Sequence, residues 1–591
     1  MHLDLAGNAS AVFPATHYGY KAIRFNHIIF QQQRGVVYMR VKKSLLLTII
    51  TVLMSVSFLA ACSSNNTSKE SAPEGSSSKP ETETTASDKY ELGKEPLEFT
   101  FYGHYDWYTM PQWGDDEGSK WIQDNKKVNI KAISSGGNAA QKLNTMISTN
   151  DLPDVIWLDR ASDLERLRQA GMLVPLDEYF DKYPNLKEWL GDKGANILRA
   201  EDGHLYGFPN WYTSQPNGNA GYVVNKKYYT ELGSPKLETT DDLYNYLKLV
   251  KEKYPNVIPY QPHLAKDGQG MDILYSAFKE NDHKYPGMRA VPEGDKLTSI
   301  FTDPAFREAM QYTAKLFRER LITQDAFTQT LDQIEESVMT GNVAVFASAS
   351  PTEIAMKAHA GLAASDPNGG YFMIWPVHKE GLDKDKIFPG TYTTLGWNVA
   401  VITKAAENPE AIYAFLDWYT GPEGQTINFW GPEGKYWKGY EDDGITPKFT
   451  EEYVTDAAGL AEYQQLSTNL AWVGNTVFAD RTKAKFEDSL PEEERNWSTR
   501  WQSEVTWKTQ SNATEFISLN PLPDSEEGMI QQRVEDIYQL ARTQAVYAKS
   551  DEEVISILDK AQADAAAAGY DKLLEFKTKK WEENKKKIAG N

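Results

Sequence analysis

Cysteine is almost absent from this chain, because its 591 residues contain only Cys62. Beyond that residue the chain cannot form an internal disulfide, a thiolate metal site or a cysteine nucleophile, so core packing must hold the fold. The sequence also lacks zinc-protease, serine-hydrolase and phosphate-loop patterns, and its histidines do not stand at metal-ligand spacing. We therefore predict no catalytic residues, no metal and no cofactor, and we expect the protein not to be an enzyme.

Basic residues are also scarce relative to acidic ones. The formal net charge is −21, and beyond the N-terminal region basic residues cluster only near Lys585–Lys587. A nucleic-acid partner needs a basic face that releases counterions from the phosphate backbone. The charge pattern argues against such a partner.

The chain has no apolar run long enough for a spanning helix, which needs roughly 20 residues. The run from Leu45 to Leu59 is shorter, follows the pair Lys42-Lys43, and ends at Leu59-Ala60-Ala61-Cys62. A short apolar run with small residues before a cut is typical of a signal peptide. The tetrapeptide resembles a lipobox, which implies that Cys62 becomes a lipidated N-terminus on the outer face of a Gram-positive cell membrane. The alternative is a buried structural cysteine.

These observations predict the layout of the N-terminal region. Residues 39–61 form the signal peptide, and residues 1–38 form an extension, with translation starting at Met39 or Val41. Residues 62–95 are rich in Ser, Thr, Glu and Pro and are predicted to form a flexible tether, because they cannot bury enough apolar surface to offset their ordering entropy. The chain beyond them exceeds the size of a single core, so at least two lobes are expected.

The body opens with an alternation of strand and helix patterns. Strands are predicted at residues 97–102, 128–132 and 154–157, with helices around Trp121 and over residues 139–148. Strands that alternate with helices are typical of a parallel, doubly wound α/β sheet. The fold class is therefore predicted to be α/β.

Six later segments, taken in order, carry a family resemblance; they are Gly171–Tyr179, Gly203–Pro209, Tyr222–Leu247, Thr302–Ile322, Gly341–Phe346 and Asn408–Trp418. The series resembles the extracellular solute-binding proteins of ABC transporters, family 1, in the oligosaccharide-binding lipoprotein branch. One departure is Arg320, where the branch usually has glycine at a helix end.

The resemblance implies a type II periplasmic-binding-protein fold, in which two doubly wound α/β lobes enclose a ligand cleft. Lobe 1 is expected to comprise residues 96–212 and 398–460, and lobe 2 residues 213–397 and 461–591. The implied function is a membrane-tethered monomer that captures an oligosaccharide and presents it to ABC permease subunits. Alternatives are the same fold with a peptide or other small polar ligand, a surface sensor lipoprotein, and a secreted glycoside hydrolase or lyase.

Candidate ligand-binding residues are aromatic and polar side chains at predicted strand ends and crossings. Rings stack on the C–H face of a sugar, while polar side chains bond its hydroxyl edge. The candidates are His104, Tyr105, Asp106 and Trp107 after the first strand, Asp159 and Arg160 after the third, Asn210, Trp211 and Tyr212 at the first crossing, Trp397 at the return, and Trp430. Alternative roles are an aromatic plug for residues 104–107, a surface ion pair for Asp159 and Arg160, and hinge packing for residues 210–212.

Overall fold

Two β-sheets, each covered by helices and each with its own hydrophobic core, organise the body of the chain. They are seen in a computed structural model, which describes residues 89–160, 162–210, 220–265, 270–348, 351–468 and 473–590. Cys62, the predicted signal peptide and nearly all of the predicted tether lie outside these ranges, as do Trp211 and Tyr212.

The strands, in chain order, are β1 (Leu97–Gly103), β2 (Val128–Ile133), β3 (Val155–Asp159), β4 (Gly207–Asn210), β5 (Gly221–Asn225), β6 (Ile258–Gln261), β7 (Ala290–Glu293), β8 (Lys296–Ser299), β9 (Val343–Ser348), β10 (Tyr371–Ile374), β11 (Gly390–Tyr392), β12 (Asn398–Ile402), β13 (Trp437–Tyr440), β14 (Pro447–Phe449) and β15 (Gln510–Asn512).

The helices are α1 (Glu117–Lys126), α2 (Ala139–Thr149), α3 (Ser162–Gln169), α4 (Asp177–Lys182), α5 (Pro184–Leu198), α6 (Lys226–Glu231), α7 (Thr240–Lys253), α8 (Gly270–Ser276), α9 (Tyr285–Met288), α10 (Pro304–Arg318), α11 (Leu331–Met339), α12 (Pro351–Ser365), α13 (Pro409–Thr420), α14 (Pro422–Trp430), α15 (Glu452–Thr455), α16 (Ala457–Thr468), α17 (Thr476–Glu487), α18 (Trp497–Glu504), α19 (Glu526–Val546), α20 (Asp551–Ala567) and α21 (Tyr570–Ala589). Among the described helices, none combines the length and the apolar character that crossing a bilayer requires.

The sheet of lobe 1 has the order β2-β1-β3-β12-β4. β1 pairs in parallel with β2 and β3, as the alternating pattern predicts, and its alternate residues Leu97, Phe99 and Phe101 are buried in the core. β12 runs antiparallel to both β3 and β4. The sheet is therefore mixed rather than purely parallel, because β12 returns from lobe 2 and enters the sheet at the opposite end.

The sheet of lobe 2 has the order β10-β5-β9-β6, with β6 parallel to β9 and β5 antiparallel to β9 and β10. Its core contains Tyr222 and Tyr260 from the strands and side chains from the long C-terminal helices, such as Tyr538 and Trp581. The predicted α/β class and two-lobed architecture are confirmed.

Two short strands, β11 and β15, pair in parallel where the chain passes between the lobes. We call this pair the crossing. The described residues of 461–468 and 473–487, which were predicted to belong to lobe 2, pack against lobe 1. Val473 belongs to the core of lobe 1, and Phe478 lies in the adjoining cluster around Trp430. Contacts to lobe 2 begin at α18, where Trp497 Nε1 donates to the Tyr371 carbonyl over 2.9 Å.

Candidate functional site

One edge of the lobe 1 sheet collects strand ends from distant parts of the chain. β3 and β4 end there with Asp159 and Asn210, and β12 begins there with Asn398. In the sheet register, Asn398 lies opposite Asp159 on one side and opposite Asn210 on the other. Ligands of open α/β sheets bind beyond the carboxyl ends of strands, so this edge is the candidate site.

Aromatic rings cover this edge, and they come from three segments. Tyr105 packs on Trp157 with ring centroids 4.6 Å apart, on Trp107 at 5.2 Å and on Trp397 at 5.4 Å. Trp157 also contacts Trp107 at 5.9 Å and Trp397 at 5.7 Å. Tyr105 and Trp157 are buried, whereas Trp107 and Trp397 remain 66% and 47% exposed. The two exposed indoles offer apolar faces to solvent above a buried aromatic layer.

Several buried polar atoms beneath these rings have no hydrogen-bond partner among the described residues. They are the Trp157 Nε1, the Asn210 Nδ2, both polar atoms of the Asn398 side chain, and the Nε and Nη1 of Arg160. Both asparagines are fully buried, and Asn210 is held by its Oδ1, which accepts from the Gly474 amide. A buried polar group without a partner costs about 1–3 kcal/mol, so a group of them at one edge points to a ligand that supplies donors and acceptors.

Asp159 is held by the aromatic layer itself. Its Oδ1 accepts a hydrogen bond from the Tyr105 hydroxyl over 2.9 Å. Asp159 is the exposed last residue of β3, but partial desolvation of its carboxyl raises the pKa, and the Tyr105 hydrogen bond and the nearby His104 and Arg160 oppose this effect. Burial, followed by the negative charge of Asp159, raises the pKa of Tyr105 well above its usual value. The Asn398 amide approaches that hydroxyl and moderates this rise, but it lies outside hydrogen-bond geometry.

Arg160 connects the strand end to the return crossing. Its Nη2 donates to the Gly396 carbonyl and, over 3.4 Å, to the Thr393 hydroxyl. The Ser518 hydroxyl, which follows β15, donates to the Arg160 carbonyl over 3.3 Å. Burial lowers the pKa of the Arg160 guanidinium to about 10, so the group remains a cation at neutral pH. The predicted surface pair with Asp159 is not formed, because the guanidinium is directed to the crossing.

His104 and Asp106 have local structural partners. His104 Nε2 lies 3.1 Å from Asp163 Oδ2. Asp106 Oδ1 accepts from the Ala139 amide over 2.7 Å, at the start of α2, where the N-cap residue Asn138 makes no side-chain cap. Although both lie in the predicted loop, their hydrogen-bonding groups serve its packing against α2 and α3.

Trp430 lies in a different cluster from the other candidates. It is 1% exposed and packs on Phe449 at 5.0 Å and on Phe478 at 6.5 Å. Trp211 and Tyr212 lie outside the described residues. Trp157 and Asn398 were absent from the predicted set. Trp157 lies two residues before Asp159 in β3, and Asn398 follows Trp397 at the start of β12. Within the described part of the chain, no group of three or more His, Cys, Asp or Glu residues could hold a metal ion.

Comparisons with known proteins identify the family of this chain. Residues 109–426 match the family model described as bacterial extracellular solute-binding protein. The fructooligosaccharide ABC transporter substrate-binding protein FusA of Streptococcus pneumoniae serotype 4 is 30% identical over 221 residues, which cover 34% of this chain and 40% of FusA. The polygalacturonan/rhamnogalacturonan-binding protein YtcQ of Bacillus subtilis is 24% identical over 374 residues, which cover 60% of this chain and 69% of YtcQ.

A solved structure supports the same architecture. The S. pneumoniae protein FusA in complex with kestose superposes with a TM-score of 0.62 and 19% identity, covering 83% of this chain and 99% of that one. At this identity the similarity shows the fold alone.

Proposed function

Because the chain belongs to the family of bacterial extracellular solute-binding proteins, we propose that it captures an oligosaccharide outside the cell and delivers it to an ABC importer. The observation that carries this proposal is the pair of exposed indoles, Trp107 and Trp397, above two buried asparagines. The Asn210 Nδ2 and both polar atoms of the Asn398 side chain have no hydrogen-bond partner among the described residues. The names of the two relatives support the same proposal, since FusA is named for fructooligosaccharides and YtcQ for polygalacturonan and rhamnogalacturonan.

The chemistry of a sugar matches this edge. A sugar ring has an apolar C–H face, which stacks on an indole, and a periphery of hydroxyls that both donate and accept. The Asn210 and Asn398 amides, together with the Asp159 carboxylate, offer both kinds of partner at one edge. A ligand hydroxyl that reaches the two asparagines recovers hydrogen bonds that the described part of the chain leaves unmade.

Delivery follows from the two-lobed architecture. A ligand that contacts both lobes binds the closed form more tightly and shifts the protein toward it. Moving a mostly open population to a mostly closed one takes about 5.5 kcal/mol of differential binding. Arg160 is suited to couple ligand binding to lobe closure, because it links the ligand edge to Gly396, which follows β11. The closed form then presents the surface that the permease recognises.

The proposal includes a lipid anchor at Cys62, followed by the predicted tether of residues 62–95. Its last residues are not free, because Tyr90 and Leu92 pack on the core of lobe 1 and the Tyr90 amide donates to the Tyr183 hydroxyl over 2.9 Å, so the tether ends before Tyr90. A flexible tether spans about 5–6 Å times the square root of its residue number, so it keeps the receptor near the membrane while leaving it free to load. Mass spectrometry of the membrane fraction is expected to find an N-terminal peptide that begins at a diacylglycerol-modified Cys62. A mature N-terminus anywhere else would refute the anchor.

The binding proposal is tested by a thermal-unfolding screen of the purified protein against fructooligosaccharides, oligogalacturonides and xylo-oligosaccharides. A ligand at 100 times its Kd is expected to stabilise the protein by about 2.7 kcal/mol. Trp107→Ala and Trp397→Ala are each expected to weaken calorimetric affinity at least tenfold, because each removes a stacking face.

Trp375→Ala is the matched control, because Trp375 is a partly buried indole of lobe 2 that donates to the Lys384 carbonyl. It should leave affinity unchanged. Stabilisation by none of the sugars, or release of shortened sugars during incubation, would overturn the proposal. Unchanged affinity in both Trp107→Ala and Trp397→Ala would refute the location of the site.

A further inference from the structure

A cavity of about 460 Å³ lies beside the crossing strands, apart from the aromatic layer described above. Its lining includes Tyr392 of β11, Gln510 of β15, Asp488 at the end of α17, and Ser503, Trp507 and Lys508 at and after α18. The volume falls in the range of about 300–1,000 Å³ that is typical of small-molecule sites.

The walls of this cavity come from both lobes. α17 carries Phe478, which packs on Trp430 in lobe 1. α18 carries Trp497, which donates to the Tyr371 carbonyl in lobe 2. β11 and β15, which pair in parallel, contribute Tyr392 and Gln510 to the lining. An occupant of the cavity therefore contacts both lobes, which is the condition for favouring the closed form.

The cavity offers the same combination of groups as the first site. Tyr392 and Trp507 supply aromatic rings, and Asp488, Ser503 and Gln510 supply hydrogen-bonding groups. Rings with polar groups around them suit a hydroxylated sugar ring better than an apolar ligand.

The two sites are also close along the chain. Tyr392 precedes Trp397 by five residues, a stretch that reaches at most about 17 Å when fully extended. Thr393, the residue after Tyr392, accepts a hydrogen bond from Arg160 at the first site. One linear molecule of several linked sugar rings can therefore span both sites.

We propose that the cavity lined by Tyr392 and Trp507 is a second sugar-binding subsite, and that the protein thereby selects sugars long enough to fill both sites. This inference rests on the proposed function. It adds a length preference, which the first site alone does not produce.

The test measures calorimetric affinity for three homologous series, fructooligosaccharides, oligogalacturonides and xylo-oligosaccharides, each from disaccharide to hexasaccharide. For the series that binds, wild-type affinity is expected to rise at least tenfold between the shortest and the longest member. Trp507→Ala should remove that rise and leave affinity for the shortest member within about twofold of wild type. Trp507→Phe keeps a ring and should restore most of the rise, while Trp375→Ala should behave like wild type.

A merely structural role for Trp507 predicts a different result, namely equal losses for short and long sugars or a lowered Tm without any change in length dependence. Either result would overturn the inference, as would wild-type affinity that does not depend on length. Binding with no length dependence leaves the proposed function intact, whereas failure of all three series to bind wild type refutes the proposed function and this inference together.

Discussion

Tyr105 donates its hydroxyl hydrogen to Asp159 Oδ1 over 2.9 Å, and this bond joins the loop after β1 to the last residue of β3. The same tyrosine ring packs on both Trp157 and Trp397, which also contact each other. The Tyr105 side chain thus positions both a carboxylate and two indoles of the candidate site. Removing its hydroxyl while keeping its ring therefore tests the contribution of the carboxylate separately from that of the indoles.

Tyr105→Phe keeps the ring but removes the hydrogen bond to Asp159. The pKa of Asp159 is already raised by partial desolvation, and the lost bond is one of the interactions that lower it, so the variant should raise it further. Because the carboxylate is the acceptor form, affinity in the variant should begin to fall at a higher pH as the solution is acidified. Calorimetric Kd values between pH 4 and pH 8 measure this shift.

Tyr436→Phe is the control for that variant, because Tyr436 donates to Asp456 Oδ2 over 3.1 Å in the cluster that contains Trp430. It should keep the wild-type pH profile. Identical profiles for Tyr105→Phe and wild type would contradict the coupling between Tyr105 and Asp159.

Asp106→Ala is expected to lower stability without a comparable loss of affinity. Asp106 accepts from the Ala139 amide at the start of α2, and loss of such a cap costs about 0.5–2 kcal/mol. Urea unfolding measures the cost. Asn138→Ala should change stability less, because Asn138 makes no side-chain cap. A tenfold loss of affinity in Asp106→Ala with unchanged stability would instead make Asp106 a ligand contact.

Arg320→Gly is expected to stabilise the protein. Arg320 follows α10 with φ 53°, a left-handed conformation that costs residues with a Cβ about 1–2 kcal/mol and costs glycine little. Part of the gain is lost to the greater freedom of glycine in the unfolded chain, so the net rise in unfolding free energy should be up to about 1 kcal/mol. Arg318→Gly, inside the same helix, should lower stability. A lower Tm for Arg320→Gly would contradict the strain argument.

Asp417→Asn should change how stability depends on pH. Asp417 is buried and accepts from the Leu186 amide over 2.8 Å, and burial raises its pKa from 3.8 to about 6. The folded state therefore holds this proton more tightly than the unfolded state. The resulting stabilisation is complete below pH 3.8 and is lost as the pH rises through about 6.

The unfolding free energy of wild type minus that of Asp417→Asn should accordingly fall by about 3 kcal/mol between those pH values and stay level above them. Urea titrations at several pH values provide the difference curve. Asp443→Asn should produce a level curve above pH 4, because hydrogen bonds from Thr446 hold the pKa of exposed Asp443 at about 2. A level curve for Asp417→Asn would refute the prediction.

Local pattern was sufficient to predict several elements. The alternation over residues 97–102 predicts β1, and the apolar run over residues 154–157 predicts most of β3, because both depend only on neighbouring side chains. The same reasoning placed Tyr105, Trp107 and Asp159 just beyond strand ends, where parallel strands collect ligand groups. The antiparallel course of β12 could not be read in this way, since strand direction depends on how the chain returns from lobe 2.

The sequence by itself determined the α/β class, the family motifs, the single cysteine and the strand-end loops rich in aromatic residues. Only the tertiary structure decided which rings meet. It buried Trp430 under Phe449 while leaving Trp107 exposed, and it placed Asn398 between Asp159 and Asn210. The physical reason is that local propensity depends on adjacent residues, whereas burial and register depend on the surfaces that distant segments present to each other.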